Sequence, residues 1–228
     1  MINMNSSVLE NLPADQEKTE RPRQEYVIEE VPVKQKPVYL TIKRSFDIIA
    51  SLLGLVVLCI PMLVIGIIVR ATSPGSAIYS QERLGKNGKT FVLYKFRSMY
   101  LNAEEYGPQW AEKEDTRTTK VGRFLRSTRL DELPQLWNIL AGDMSLVGPR
   151  PERACFYDEF ETYIHGFRHR LAVRPGLTGW AQVNGGYDLA PEEKIVYDME
   201  YIRDRSIKMD LICIWRTIRL VFTHEGAR

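Results

Sequence analysis

The sequence predicts an α+β, helix-rich protein fastened to a membrane, and three patterns carry that reading. Residues 48–69 hold no charge. Two short β-patterned runs flank a glycine-lysine turn between residues 77 and 97. Apolar residues then recur at helical spacing through much of the second half. The expected division is a disordered tail over 1–38, a membrane-inserted helix over 39–70, a cytosolic or interfacial domain over 71–222, and a short tail over 223–228.

The tail is rich in Glu, Gln, Lys and Asn, carries Pro13, Pro22, Pro32 and Pro37, and has few large apolar residues to bury. Tyr26 to Val31 could dock, but a free leader is the plainer expectation. The uncharged stretch is different. As one helix its residues would rise about 33 Å, close to the hydrocarbon thickness of a bilayer. It is too long and starts too late for a cleaved leader. Lys43 and Arg44 precede it and Arg70 follows, so both flanks are basic. Pro61 lies just past its middle, where it removes a donor and kinks the helix. Hydropathy alone favours a single-span anchor with a tolerated proline. A kinked helix leaving by the face it entered would instead keep both basic flanks in the cytoplasm.

After the Ser73-Pro74-Gly75-Ser76 turn, Ala77 to Arg83 and Thr90 to Arg97 read as paired strands around a Gly85 to Lys89 turn. Lys95 and Arg97 share parity, so both point to one face, either a phosphate-binding face or an exposed one. Residues 101–116, with Gly107-Pro108, read as a loop. Val121 to Thr128 reads as a helix. Pro134 is tolerated only in a first turn, which predicts a second helix from Asp131 to Gly142. Asp131 and Glu132 would then sit at its N-terminus, where the macrodipole lowers a carboxylate pKa. By itself such a pair is a helix cap. Two rigid loops change the weighing. Ser145 to Pro151 presents Arg150 between prolines, and Arg174 to Gly186 presents Arg174. Arginines on rigid mounts beside ionised carboxylates suit a multiply phosphorylated substrate.

Net charge is only +2, but nine arginines fall between residues 117 and 174, a density suited to phosphates or anionic head groups. Cys59, Cys155 and Cys213 are far apart with no CxxC spacing, so zinc is not indicated. Glu161, His165 and His169 are four apart and read as a polar helix face rather than a metal site. Met209 to Phe222 is amphipathic, with Trp215, Arg216 and Arg219, and fits either the bilayer interface or a core.

From Lys43 to Phe222 an ordered set of motifs resembles the bacterial sugar transferases, the monotopic phosphoglycosyl transferases. The set runs through Lys43 to Asp47, the Pro61 helix, Gln81-Glu82-Arg83-x-Gly85, Tyr94 to Met99, Leu130 to Leu136, Gly142 to Pro151, and Arg174 to Gly185. The resemblance implies a re-entrant rather than spanning helix. It implies transfer of a phosphosugar from a UDP-sugar to polyprenyl (undecaprenyl) phosphate at the cytoplasmic face of the bacterial inner membrane. Asp131 would be the nucleophile and UMP the first product. Glu132 would hold Mg²⁺, with Asp210 a further contributor to the metal site. Arg150 would hold a phosphate, with Lys95, Arg126 and Arg174 as further phosphate contacts. No nucleic-acid partner is expected, and self-association, the sugar and the job of the tail are left open. Relatives often place serine before the helix-breaking proline, where this chain has Ile60, which puts the sharpness of the bend in question. Larger relatives carry extra upstream domains, so the small, core-only type is expected here. The competing readings are a non-catalytic membrane-tethered module and a direct glycosyl transferase releasing UDP.

Overall fold

The structure, a computed structural model, describes residues 24–105, 107, 109, 115–186 and 189–223. The leader ahead of residue 24, much of the Gly107-Pro108 loop and the tail after residue 223 therefore lie outside the described residues.

Fourteen regular elements follow in order among the described residues: β1 (Tyr26–Val27), α1 (Pro37–Val57), α2 (Cys59–Thr72), β2 (Ile78–Leu84), β3 (Thr90–Phe96), α3 (Lys120–Ser127), α4 (Gln135–Ala141), β4 (Ser145–Val147), α5 (Ala154–Glu161), β5 (Ile164–His165), β6 (Gly176–Thr178), α6 (Trp180–Asn184), α7 (Pro191–Asp204) and α8 (Ile207–Thr223). Short 3₁₀ turns punctuate them at Lys86–Gly88, Leu130–Glu132 and Phe167–Ala172. The result is the expected helix-rich α+β architecture with short strands. β2 and β3 pair antiparallel, with Tyr79 opposite Lys95. β4 and β6 pair parallel, as do β1 and β5.

The leader expectation fails from residue 24 onward. Tyr26 and Val27 pair with Ile164 and His165, and Tyr26, Ile28, Val31 and Val33 pack half-buried against the main core. That core joins Phe156, Phe160 and Phe167 to Ile195 and Ile202. A second cluster places Leu93 of β3 against Leu136 and Ile139 of α4. A third ties Val69 of α2 to Phe96 and Leu125.

The long apolar stretch is two helices, not one. Among the described residues no single helix is long and apolar enough to cross a membrane, but α1 and α2 together are, with a 62° bend between them. The break falls at Leu58, three residues before Pro61. The cause is local: a proline ring clashes with the carbonyl four residues back and has no N–H to offer it, and Val57 stands at that place. The charged first half of α1 is fastened to protein. Buried Asp47 accepts from the Leu146 N–H (2.9 Å) and the Ser145 hydroxyl (3.2 Å). Arg44 donates to the Ile139 and Leu140 carbonyls at the end of α4, where the helix leaves acceptors unmatched.

Two further expectations are corrected. The helix drawn from Asp131 to Gly142 is a 3₁₀ turn followed by α4, because Pro134 cannot donate within a continuous helix and takes the position ahead of α4 instead. Its end is as expected, with Gly142 left-handed at φ 97°. Glu161, His165 and His169 do not share a helical face. α5 stops at Glu161, which accepts from the Gly166 and Arg168 N–H groups, and the chain turns.

Candidate functional site

The floor of the site is one face of the β2–β3 hairpin. Period-two alternation sends Tyr79, Gln81 and Arg83 from β2, and Leu93 and Lys95 from β3, to the same side. α4 is locked behind β3 by buried Asn138, whose amide donates to the Val92 carbonyl (2.7 Å) and accepts from the Tyr94 N–H (3.1 Å). That lock brings the 3₁₀ turn just ahead of α4 over Lys95. Arg129, left-handed at φ 58°, turns the chain so that Asp131 and Glu132 point inward, both less than a tenth exposed.

The two carboxylates have different surroundings. Glu132 Oε1 accepts from Arg150 at 2.7 Å and meets the Lys95 ammonium at 3.4 Å. Burial pushes Glu132 up, but Arg150 and Lys95 outweigh it and hold it well below the usual carboxylate range. Burial, then the neighbouring Glu132, pushes Asp131 up to about 6, with Lys95, Arg150 and Arg126 pulling the other way. The macrodipole argument therefore gave Asp131 the wrong direction. A single 3₁₀ turn has little dipole to offer, and desolvation dominates.

Asp131 opens into a cleft of about 380 Å³. Its cationic wall includes Lys95, Arg126 and Arg150 together with Arg83, Arg153 and Lys194. Tyr79, Tyr100 and Phe156 give it aromatic surface. Such a cleft is arranged for a polyanion that also carries a flat or apolar portion. Arg97 also borders it, but its guanidinium is spent on the Ser73 carbonyl and hydroxyl (both 2.8 Å) and the Pro74 carbonyl, closing the turn after α2.

Two predicted site residues are elsewhere. Arg174 is exposed and does not line the cleft. What its loop contributes is backbone: Gly148 approaches the Arg174 carbonyl so closely that a Cβ would sit 2.4 Å from it. Asp210 does not line the cleft either. It is buried, accepting from Tyr39 (2.9 Å), Lys43 (3.0 Å) and Tyr201 (2.7 Å), and so joins α1, α7 and α8. Among the described residues no cluster of three or more His, Cys, Asp or Glu side chains could hold a metal by itself. The cleft residues not singled out as contacts include Arg83 and Arg153. Arg83 was findable, since it shares the parity of Tyr79 and Gln81. Arg153 was not, because its place depends on where α5 begins.

A family model described as bacterial sugar transferase matches residues 38–224. Among curated proteins the chain is 43% identical over 195 residues to a UDP-N-acetylgalactosamine-undecaprenyl-phosphate N-acetylgalactosaminephosphotransferase of Aeromonas hydrophila, covering 84% of this chain and 46% of that protein. It is 42% identical over 205 residues to a UDP-glucose:undecaprenyl-phosphate glucose-1-phosphate transferase of Klebsiella pneumoniae, covering 86% and 44%. A Bacillus subtilis (strain 168) protein, provisionally named an undecaprenyl-phosphate N-acetylgalactosaminyl 1-phosphate transferase, is 54% identical over 134 residues, covering 58% and 74%. The chain thus spans less than half the length of the Aeromonas and Klebsiella relatives.

Proposed function

The chain belongs to the bacterial sugar transferase family, and from that premise we propose that it moves a phosphosugar from a UDP-sugar to polyprenyl (undecaprenyl) phosphate, releasing UMP. The observation that carries the proposal is a buried carboxylate, Asp131, in the lining of a cation-lined cleft of about 380 Å³. An Asp131 carboxylate oxygen attacks the sugar-bearing phosphorus. The phosphorus–oxygen bond to UMP breaks, and UMP departs with that oxygen and its electron pair. An oxygen of the polyprenyl phosphate then attacks the same phosphorus and displaces Asp131, restoring the carboxylate. Phosphoryl transfer depends on charge neutralisation and in-line positioning, which Lys95, Arg126 and Arg150 supply.

The donor set also fits Mg²⁺, an ion that takes one or two carboxylates and completes its shell with phosphates and water. Glu132, whose Oε1 meets Lys95 and Arg150, is the residue that would hold it. Bound there, Mg²⁺ would neutralise the diphosphate and ease departure of UMP. Asp210, committed to Tyr39, Lys43 and Tyr201, takes no part in this reading.

The lipid partner agrees with the bent helix pair. Ile49, Leu53, Val57, Ile60, Leu63 and Ile67 are each 60% or more exposed. The apolar part of each arm is about ten residues, a rise of about 15 Å and half the hydrocarbon thickness. We read the pair as a re-entrant wedge in the cytoplasmic leaflet of the inner membrane, holding the cleft where a lipid phosphate and a soluble nucleotide meet.

The test is nucleotide release. Detergent-purified protein receives Mg²⁺, undecaprenyl phosphate and UDP-sugars one at a time, with UMP and UDP quantified separately. UMP from one sugar, with full turnover only when lipid and metal are present, is expected. UDP would make the protein a direct glycosyl transferase, and no nucleotide from folded protein would leave a tethered module.

A further inference from the structure

Arg150 stands between two prolines, and that imposes a problem on the chain. Pro149 and Pro151 have no N–H, so two of the three residues of the turn offer nothing to donate. At the two prolines the backbone can be held only through carbonyls, and each of the three carbonyls of the turn has a partner. The Pro149 carbonyl accepts from the Gly176 N–H (2.9 Å). The Arg150 carbonyl accepts from the Arg170 guanidinium (3.0 Å). The Pro151 carbonyl accepts from the Arg83 guanidinium (3.3 Å).

Two of those three donors are arginine side chains, Arg170 buried and Arg83 half-buried, each held by its own acid. Arg170 is ion-paired with Asp198 of α7 at 2.6 Å, both side chains 2% exposed, and its guanidinium lies over the Phe167 and Tyr157 rings. Arg83 is paired with Glu152 at 3.1 Å and donates to the Gln81 amide oxygen at 2.6 Å. One pair reaches the turn from the α7 side and the other from β2. Burying an ion pair as fully as Arg170–Asp198 is expensive, and apolar residues of similar volume would serve stability at least as well. The cost is understandable if the pairs fix a geometry.

We infer that Arg170–Asp198 and Arg83–Glu152 are paired buttresses that aim the Arg150 guanidinium at Glu132, and that Arg170 and Asp198 are positioning residues for the transfer. The inference rests on the phosphotransfer reading above for its catalytic half. Asp198 lies 66 residues beyond Glu132 in the chain, yet it is connected to it by Arg170, the Arg150 backbone and the Arg150 side chain.

The experiment compares the wild type with Arg170→Met/Asp198→Asn, which removes both buried charges together and leaves no lone ion, and with Arg170→Lys, which keeps a cation beside Asp198 but is shorter and lacks the guanidinium plane that lies over Phe167 and Tyr157. Thermal unfolding checks that each is folded. Both variants should lose kcat for UMP release by on the order of 10–100-fold, the scale of a misplaced contact, with KM for the UDP-sugar changed less than about threefold. In an Arg150→Met background the same changes should cost almost nothing, because nothing is left to aim. Equal losses in both backgrounds, or no loss in either, would overturn the inference. A second readout needs no turnover. In nitrogen-15 arginine-labelled protein, the Arg150 guanidinium signals, assigned by their loss in Arg150→Lys, should be split in the wild type by the bond to Glu132 and collapsed in the variants. Unchanged splitting would overturn the buttress even in a protein that makes no UMP, an outcome that would separately end the phosphotransfer reading.

Discussion

Asp131 and Glu132 are neighbours in sequence and equally buried, yet their carboxyl groups are pushed in opposite directions. Burial raises both. What separates them is that Arg150 and Lys95 both bond Glu132, while Asp131 feels them from further away and also feels the Glu132 charge. In the proposed transfer Asp131 attacks as the carboxylate, so the sign follows directly. With its pKa pushed up to about 6, Asp131 is protonated below that pH and active above it. The kcat/KM for UMP release should therefore rise tenfold per pH unit below an apparent pKa near 6 and level off above it. Arg150→Gln removes one of the cations holding Asp131 down and should move the limb upward. An acid limb that stays put in that variant, or one lying near 4, would show that the dyad does not titrate as described. Asp131→Asn keeps the side chain's size while removing the proposed nucleophile. It should abolish UMP release while leaving the thermal midpoint unchanged or higher, since a buried raised-pKa carboxylate costs stability when ionised.

At the scale of elements, the bend between α1 and α2 is the feature on which the proposed membrane placement turns. The serine that relatives often place before the proline is Ile60 here, and the 62° bend forms without it. The ring of Pro61 and the missing N–H are sufficient cause. A re-entrant wedge puts both ends on one side, and labelling reads this directly. With Cys59 and Cys155 replaced by Ala, single cysteines at exposed Thr41 and Ser76 should both resist an impermeant maleimide in whole cells and both react once the membrane is opened. Cys213 is fully buried and should stay silent. One flank labelled from outside would mean a span. The hairpin was legible because strand alternation and turn residues are local signals, and Pro61 marked the bend to within three residues. The 3₁₀ turn at the dyad was not, because a proline restricts a helix without saying which tighter turn replaces it. α5 and α7 carry mixed polar faces that packing, not periodicity, selects.

The arrangement of the whole molecule depends on contacts that no window of sequence contains. Asp210 was matched to the family's late acidic residue, and its place was found only when Tyr39 and Lys43, more than 160 residues earlier, closed around it. The N-terminal segment is the same kind of case. Its composition is that of a free leader, and its four half-buried apolar side chains have value only because Ile164 and the core are there to receive them. Immediately before α1 the segment is tied again: Lys36 donates to the Arg205 carbonyl (2.8 Å) and Arg205 to the Lys34 carbonyl (3.1 Å), at the junction of α7 and α8. It therefore ties the chain just ahead of α1 to the α7–α8 junction. Comparing a chain that begins at Gln24 with one that begins at Lys34 isolates its packing contribution. Full burial of such side chains stabilises by about 1.5–3 kcal/mol each, so four at half burial give about 3–6 kcal/mol as an upper estimate. For a domain of this size that is a fall on the order of 10 °C in Tm. The shorter chain should also lose UMP release at temperatures where the longer one is still folded. Equal midpoints for the two chains would mean that the strand pairing at Tyr26 and Val27 holds nothing in place, and that the bent helix pair is oriented by Asp47, Arg44 and Asp210 alone.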